Sequence, residues 1–373
     1  MTVDSLKNAL LIAKTGLDER LVSAEALSQI SQVADLLPSF PVASQAGLEC
    51  HLGSFEPKAD FFAAFSTSNR GREALAGGYQ PLASFDDNPV WQRVYNFCQH
   101  WTDTNSPLYQ EIDRVCLEFD LVEPQPSKVP EPNFFFGTAD GIKKEAENGK
   151  TDRYSWLSDE ALRLLLNKDL PDLVKQNLLT CFRSLPPEAR VFQVGVMLPR
   201  KTESKIVRLC ISNIAIAEIP KYLNEIGWSG SVSKLKSVLS DLSSFANFIS
   251  LNFAVGDTVF PKIGFECYID KQPKITPKWH SFLDYLVERQ LCTLDKADAL
   301  LKYPGYSVEK SHQDLWPSNL ANASILVAPS MRSTLVRFLH HIKIVYQPDR
   351  PLKAKAYLWL GHLWLSSKGI FEQ

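Results

Sequence analysis

Hydrophobic and polar positions change period along this chain, and the changes divide it. From residue 4 to about 36, Leu6, Leu10, Ala13, Leu17, Leu21, Leu27, Ile30, Val33 and Leu37 recur at helical spacing. That spacing predicts one or two helices ending before Pro38. The pattern then becomes short alternating runs. AGLECHLG (46–53) and ADFFAAFS (59–66), around a proline-containing turn, predict a hairpin. RVCLEFDL (114–121) pairs in the same way with NFFFGT (133–138), and RVFQVGVML (190–198) with KIVRLCISNI (205–214). FISLNFAV (248–255) pairs with KIGFECYI (262–269), and HIKIVYQPDRPLKAKAYLWL (341–360) holds a fifth pair. Its turn runs from Gln347 to Pro351, where two prolines and an Asp set turn dihedrals. Helical patterns separate the pairs, at 88–101, 158–183 (broken near Pro171), 216–226, 231–245, 279–290 and 295–301. Residues 139–155 and 303–325 read as irregular, and about 328–339 as a further helix.

Five strand pairs separated by helices exclude a TIM barrel and a doubly wound sheet, both of which alternate single strands with helices. The expected class is α/β (α+β): a ten-stranded antiparallel barrel jacketed by helices, one domain over residues 1–373 with an N-terminal helical segment of about 1–40. Apolar strand faces then pack on the helices, and polar faces point into a lumen too wide to be filled by its own side chains. Strand parity gives the expected lining: Glu49, His51, Glu118, Asp120, Gln193, Arg208, Cys210, Ser212, Asn252, Glu266, Tyr268, His341, Lys343, Lys353, Lys355 and Tyr357. An open sheet with one solvated face fits the same alternation.

Composition narrows the partners. The chain is 45% hydrophobic and 22% charged, with a formal net charge of −2. No basic run implies nucleic acid or an anionic membrane. No segment approaches the ~18 consecutive apolar residues of a membrane span. The N-terminus does not read as a signal peptide, and seven scattered cysteines without a C-x-x-C suggest reduced thiols and a cytoplasmic location.

Motifs exclude other chemistries. No H-E-x-x-H, G-x-x-x-x-G-K-[ST], G-x-G-x-x-G or G-x-S-x-G occurs. The pair Asp86–Asp87 precedes Asn88–Pro89 and reads as a helix cap, not as a Mg²⁺ motif. His340 and His341 fall on opposite faces of a strand and so cannot chelate one metal together. No motif calls for a metal or cofactor.

Five αββα units closing into such a barrel resemble the ABBA, or PT-barrel, aromatic prenyltransferases, and most of all their indole, dimethylallyltryptophan synthase-like branch. The likeness in layout covers about 45–360. Gly47-Leu48-Glu49 resembles the Glu-bearing first strand, and Glu118-Phe119-Asp120-Leu121 with Pro132-Asn133-Phe134-Phe135-Phe136 the second unit. Arg208-Leu209-Cys210, Glu266-Cys267-Tyr268 and Tyr357 echo the remaining three. Asp60, Pro132 and Cys210 stand where the family has cations that hold diphosphate.

The resemblance implies transfer of an allylic group from dimethylallyl or geranyl diphosphate to an electron-rich aromatic acceptor, an indole-like small molecule or peptide residue, in secondary metabolism. Arg208, Lys343, Lys353 and Lys355 are the expected diphosphate ligands. Glu49, with Glu118, is the expected acid–base pair. His51, Glu266, Tyr268 and Tyr357 are expected to shield the cation or hold the acceptor. Two alternatives stay open: a barrel that binds a ligand or peptide without transfer, and another enzyme chemistry using Glu118, Asp120 and Glu266.

Overall fold

The computed structural model describes residues 6–38, 43–78, 88–121, 130–143, 154–200, 206–270, 272–327 and 331–366. Ten strands form five hairpins: Ala43–His51 with Ala59–Ser66, Arg114–Phe119 with Asn133–Gly137, Arg190–Val196 with Val207–Ser212, Phe248–Val255 with Val259–Tyr268, and Met331–Tyr346 with Lys353–Ser366. Each hairpin pairs antiparallel with the next. The ring closes where Ala43–His51 pairs with Lys353–Ser366, in the register Glu49 to Tyr357. Two short strands, Ile142–Lys143 and Gly305–Val308, attach outside the ring.

The jacket follows local signals. Ser23 caps helix Ala24–Ala34, and Asn88 caps Pro89–Thr102 by accepting from the amides of Val90 and Trp91. The cap of this helix is thus Asn88; Asp86 and Asp87, read from the sequence as a helix cap, lie outside the described residues. The early helical pattern gives two helices, Leu6–Ala13 and Ala24–Ala34. The pattern at 158–183 splits beside Pro171, with Asp172–Arg183 as its second helix.

The core sits between barrel and helices. Phe61, Phe65, Phe119, Phe134, Phe136 and Phe253 point outward from their strands and are buried. They meet Trp91, Phe97, Trp101, Phe182 and Trp279 from the helices, as in the edge-on contact of Phe97 with Phe134 at 4.6 Å. Each such ring removes enough apolar surface from water to contribute roughly 1.5–3 kcal/mol. With the core outside, the inner strand faces are left to polar chemistry.

Two stretches differ from the sequence reading. Residues 331–339 are strand, not helix: they begin the 16-residue strand Met331–Tyr346. Ser333 to Arg337 are all buried, so the run shows no period-two alternation, and a β-bulge between Leu339 and His341 shifts the phase beyond it. Residues 328–330 lie outside the described residues. The stretch 303–325, expected to be irregular, holds strand Gly305–Val308 and most of helix Ser318–Val327. The bulge also undoes the separation expected of His340 and His341, whose Nδ1 atoms lie 2.8 Å apart. No helix among the described residues is long and apolar enough to cross a membrane.

Candidate active site

At one end of the barrel a cavity is lined by side chains from all five hairpins. Acids enter from the first two, Glu49, Glu118 and Asp120; cations enter from the last three, Arg208, Lys262, Lys343 and Lys355, with Arg200 from the loop after Arg190–Val196. Phe135, Met197 and Tyr357 supply the less polar wall. Period-two alternation brings them together: Lys343 is the register partner of both Lys355 and Glu266, and Glu49 that of Tyr357.

Glu49 is engaged on both oxygens, accepting from Lys355 Nζ and from the Tyr357 hydroxyl. The pair keeps Lys355 charged: the Glu49 carboxylate outweighs burial and raises the ammonium pKa above its ordinary value. Glu266, 7% exposed, pairs with Lys343 at 3.4 Å and accepts from the Tyr268 hydroxyl at 3.1 Å. Arg200 binds Asp120 with Nη2 2.7 Å from Oδ2.

Glu118 differs from the other acids. Burial, then the negative charge of Glu49, pushes its carboxyl up to about 8. Two neighbouring carboxylates are thereby set apart: Glu49 is an ion-pair partner, and Glu118 is a protonatable group on the cavity wall. Lys262 is pushed down to about 8, by burial first and then by the like charges of Arg208, Lys355, Arg200 and Lys343. The residue as a whole is exposed at the rim, so the crowding of cations is the part of this shift that characterises the site.

Of the expected site residues, Glu49, Glu118, Arg208, Lys343, Lys355 and Tyr357 all line this cavity. Lys353 does not; it lies exposed in an adjoining cleft. His51 lines that cleft as well, and its Nε2 is 3.3 Å from Asp60. Tyr268 faces a separate cavity with Arg114 and Arg190, stacked on Phe248 at 4.4 Å. His341 is buried between tyrosines, stacked on Tyr357 at 4.2 Å and 4.8 Å from Tyr268.

Arg200 and Lys262 are absent from the sequence-derived set. Lys262 shares the parity of Glu266 and Tyr268, and that signal could have found it. Arg200 lies beyond its strand, where alternation says nothing. Among the positions that depart from the family pattern, Asp60 accepts from the Leu121 amide at 2.8 Å, and Cys210 accepts from the Asn252 amide nitrogen at 2.8 Å. Glu49, His51 and Asp60 could together offer a metal one ligand atom each, all within 4.8 Å of one another. A cation there would compete with Lys355 for Glu49.

No protein-family model matches the chain, and no curated protein matches it by sequence. Solved structures do. The 5-dimethylallyl tryptophan synthase from Streptomyces coelicolor, solved with DMASPP and Trp, superposes with a TM-score of 0.50 over 94% of this chain and 93% of that one, at 11% identity. The complex of PriB with product diphosphate gives a TM-score of 0.49 over 95% and 96%, at 12% identity. AnaPT from Neosartorya fischeri gives 0.46 over 96% and 90%, at 13% identity. The first of these carries the comparison, and at such identity it speaks for architecture. Closed ring, five hairpins and helical jacket together give this chain the ABBA, or PT-barrel, fold of the aromatic prenyltransferases.

Proposed function

We propose that this barrel is an aromatic prenyltransferase, moving an allylic group from dimethylallyl or geranyl diphosphate to an electron-rich aromatic acceptor. One observation carries the reading: Arg208, Lys262, Lys343 and Lys355 converge, with Arg200, on a single cavity inside this fold. Cations crowded against one another in a partly desolvated place need an anion, and diphosphate supplies one. Arg200 and Lys262 make up for the cations missing at Asp60, Pro132 and Cys210.

The chemistry follows from this arrangement. The allylic C–O bond breaks, and its electron pair leaves on the diphosphate, held by the cations. The allylic chain rests against Phe135, Met197 and Phe62, which form an apolar cluster with Cys116. The Tyr357 ring, fixed by its bond to Glu49, shields the cation. A ring carbon of the acceptor contributes its π electrons to the new C–C bond, and the proton it then loses passes to the Glu118 carboxylate. We take the acceptor to be indole-like and the setting to be the cytoplasm, the latter supported by seven free, buried cysteines.

A second reading has its own support. Lys343 and Lys355 already carry glutamate partners, as a barrel that binds a ligand without transfer would arrange. One experiment separates the two. The protein is incubated with dimethylallyl or geranyl diphosphate and a panel of indoles, phenols and peptides, and products are read by mass shift. A prenylated product is expected. No product together with no thermal shift by either diphosphate would favour the binder.

A further inference from the structure

Outside the cavity lies a larger cleft of about 610 Å³. Its walls are the turn of the first hairpin (His51 to Ser54), Gln290 and Leu291 after helix Pro277–Glu288, and Gln347, Arg350, Pro351 and Leu352 from the turn of the fifth hairpin. It joins the cavity at Lys262, Val345 and Lys355, which line both.

This cleft is built, not loosely bounded. The Leu52 amide donates to the Ala354 carbonyl at 3.1 Å, and the Thr293 amide to the Leu52 carbonyl at 3.2 Å. Lys296, 1% exposed, reaches from helix Leu294–Lys302 to the carbonyls of His51 and Glu56, at 2.6 and 2.7 Å. The first hairpin turn is therefore pinned to both neighbours.

Its charge has one sign. Lys262, Arg350, Lys353 and Lys355 line the cleft, and no carboxylate does among the described residues. The acids beside it are already engaged: Glu49 with Lys355, Asp60 with His51 at 3.3 Å, Asp349 with Lys234 at 3.4 Å and Glu56 with Lys58 at 2.7 Å. Arg350 and Lys353 are exposed and have no ion pair among the described residues. Between these cations the wall is apolar, with Leu52, Leu291, Val345 and Leu352. Bare phosphate has no use for such a wall; an organic acid uses both surfaces.

We propose that this cleft is the outer half of the acceptor site and takes an organic anion, whose acidic group rests on Arg350 and Lys353 while its aromatic end reaches the cavity past Lys262 and Lys355. This assignment rests on the transferase reading, and it adds that the acceptor is acidic and too large for the lumen alone. Lys353 then serves the acceptor, not the diphosphate.

The test uses the full chain and calorimetric binding of indole-3-butyrate, its uncharged amide, inorganic phosphate and inorganic diphosphate. The acid should bind at least about tenfold tighter than the amide, a difference of ~1.4 kcal/mol. Arg350→Ser with Lys353→Glu should abolish that preference and leave inorganic diphosphate affinity within about threefold, since both side chains lie on the surface away from the cavity. Equal affinity for acid and amide would overturn the proposal, as would a preference that survives the double substitution. Displacement of indole-3-butyrate by equimolar inorganic phosphate would also overturn it, and would make the cleft a phosphate site. None of these readings needs turnover. Mass-shift assays with uncharged acceptors judge the transferase reading on its own.

Discussion

Lys343 and Glu266 face each other where the fifth hairpin pairs with the fourth, register partners with Nζ 3.4 Å from Oε1. Glu266 is buried, so removing its partner leaves an uncompensated charge. Lys343→Ala should destabilise the protein by about 3 kcal/mol, because a buried ion pair costs most when only one member is removed. Lys343→Met with Glu266→Met should recover much of that stability and still bind inorganic diphosphate poorly. Urea denaturation reads the first effect and calorimetry the second. A double variant that binds diphosphate as well as the parent would take Lys343 out of the anion site.

Glu118 and Glu49 should separate in kinetics. Glu118→Gln is expected to lower kcat by about 10²–10⁴-fold, the usual contribution of a positioned base, with diphosphate affinity intact. The parent rate should rise with pH as Glu118 ionises near 8, and the variant should lack that limb. Glu49→Ala should also lose activity, for another reason: Lys355 and Tyr357 lose their common anchor, so diphosphate binding weakens too. If Glu118→Gln turns over at the parental rate, the proton goes elsewhere.

Lys262 should report the arrival of diphosphate. Burial and then neighbouring cations hold its pKa down, at about 8, and an anion among those cations raises it again. Binding of inorganic diphosphate at pH 8 should therefore take up protons. Calorimetry in buffers of different ionisation enthalpy measures that uptake, and Lys262→Met should remove it. Identical uptake in the variant would assign the proton to another group.

Stability should fall as pH rises through neutrality. The Glu118 carboxyl titrates near 8 in the folded chain, because of burial and the charge of Glu49, against its ordinary value of 4.5. Between these values the folded protein holds a proton that the unfolded chain has released. Its contribution is fully present below the lower value and is lost on approaching the upper one, at up to about 1.4 kcal/mol per pH unit. Urea denaturation from pH 5 to 8.5 should show this slope, and Glu118→Gln should flatten it. A slope that persists in the variant would locate it in another group.

Much of the barrel could be read from alternation, because each strand buries one face under helices and turns the other to the lumen. Glu49, Glu118, Arg208, Lys343, Lys355 and Tyr357 shared the inward parity and share the cavity. Parity gives a face, not a depth. Lys353 and Tyr268 have inward parity as well, yet one stands in the outer cleft and the other toward a different cavity. At 331–339 the reading failed because Ser333 to Arg337 are buried on both strand faces and show no alternation.

The sequence by itself determined the five hairpins, the helices between them and the polar face of each strand, since these depend on spacing and turn residues within a few positions. Only the tertiary structure decided that Lys262 and Arg200 join Arg208, that Glu49 is taken by Lys355 and Tyr357 while Glu118 is left protonatable, and that Arg350 and Lys353 flank a cleft lined by no carboxylate among the described residues. These are relations between strands far apart in the chain. Register and closure set them, and they fix which charges are close enough to alter one another in a partly desolvated space.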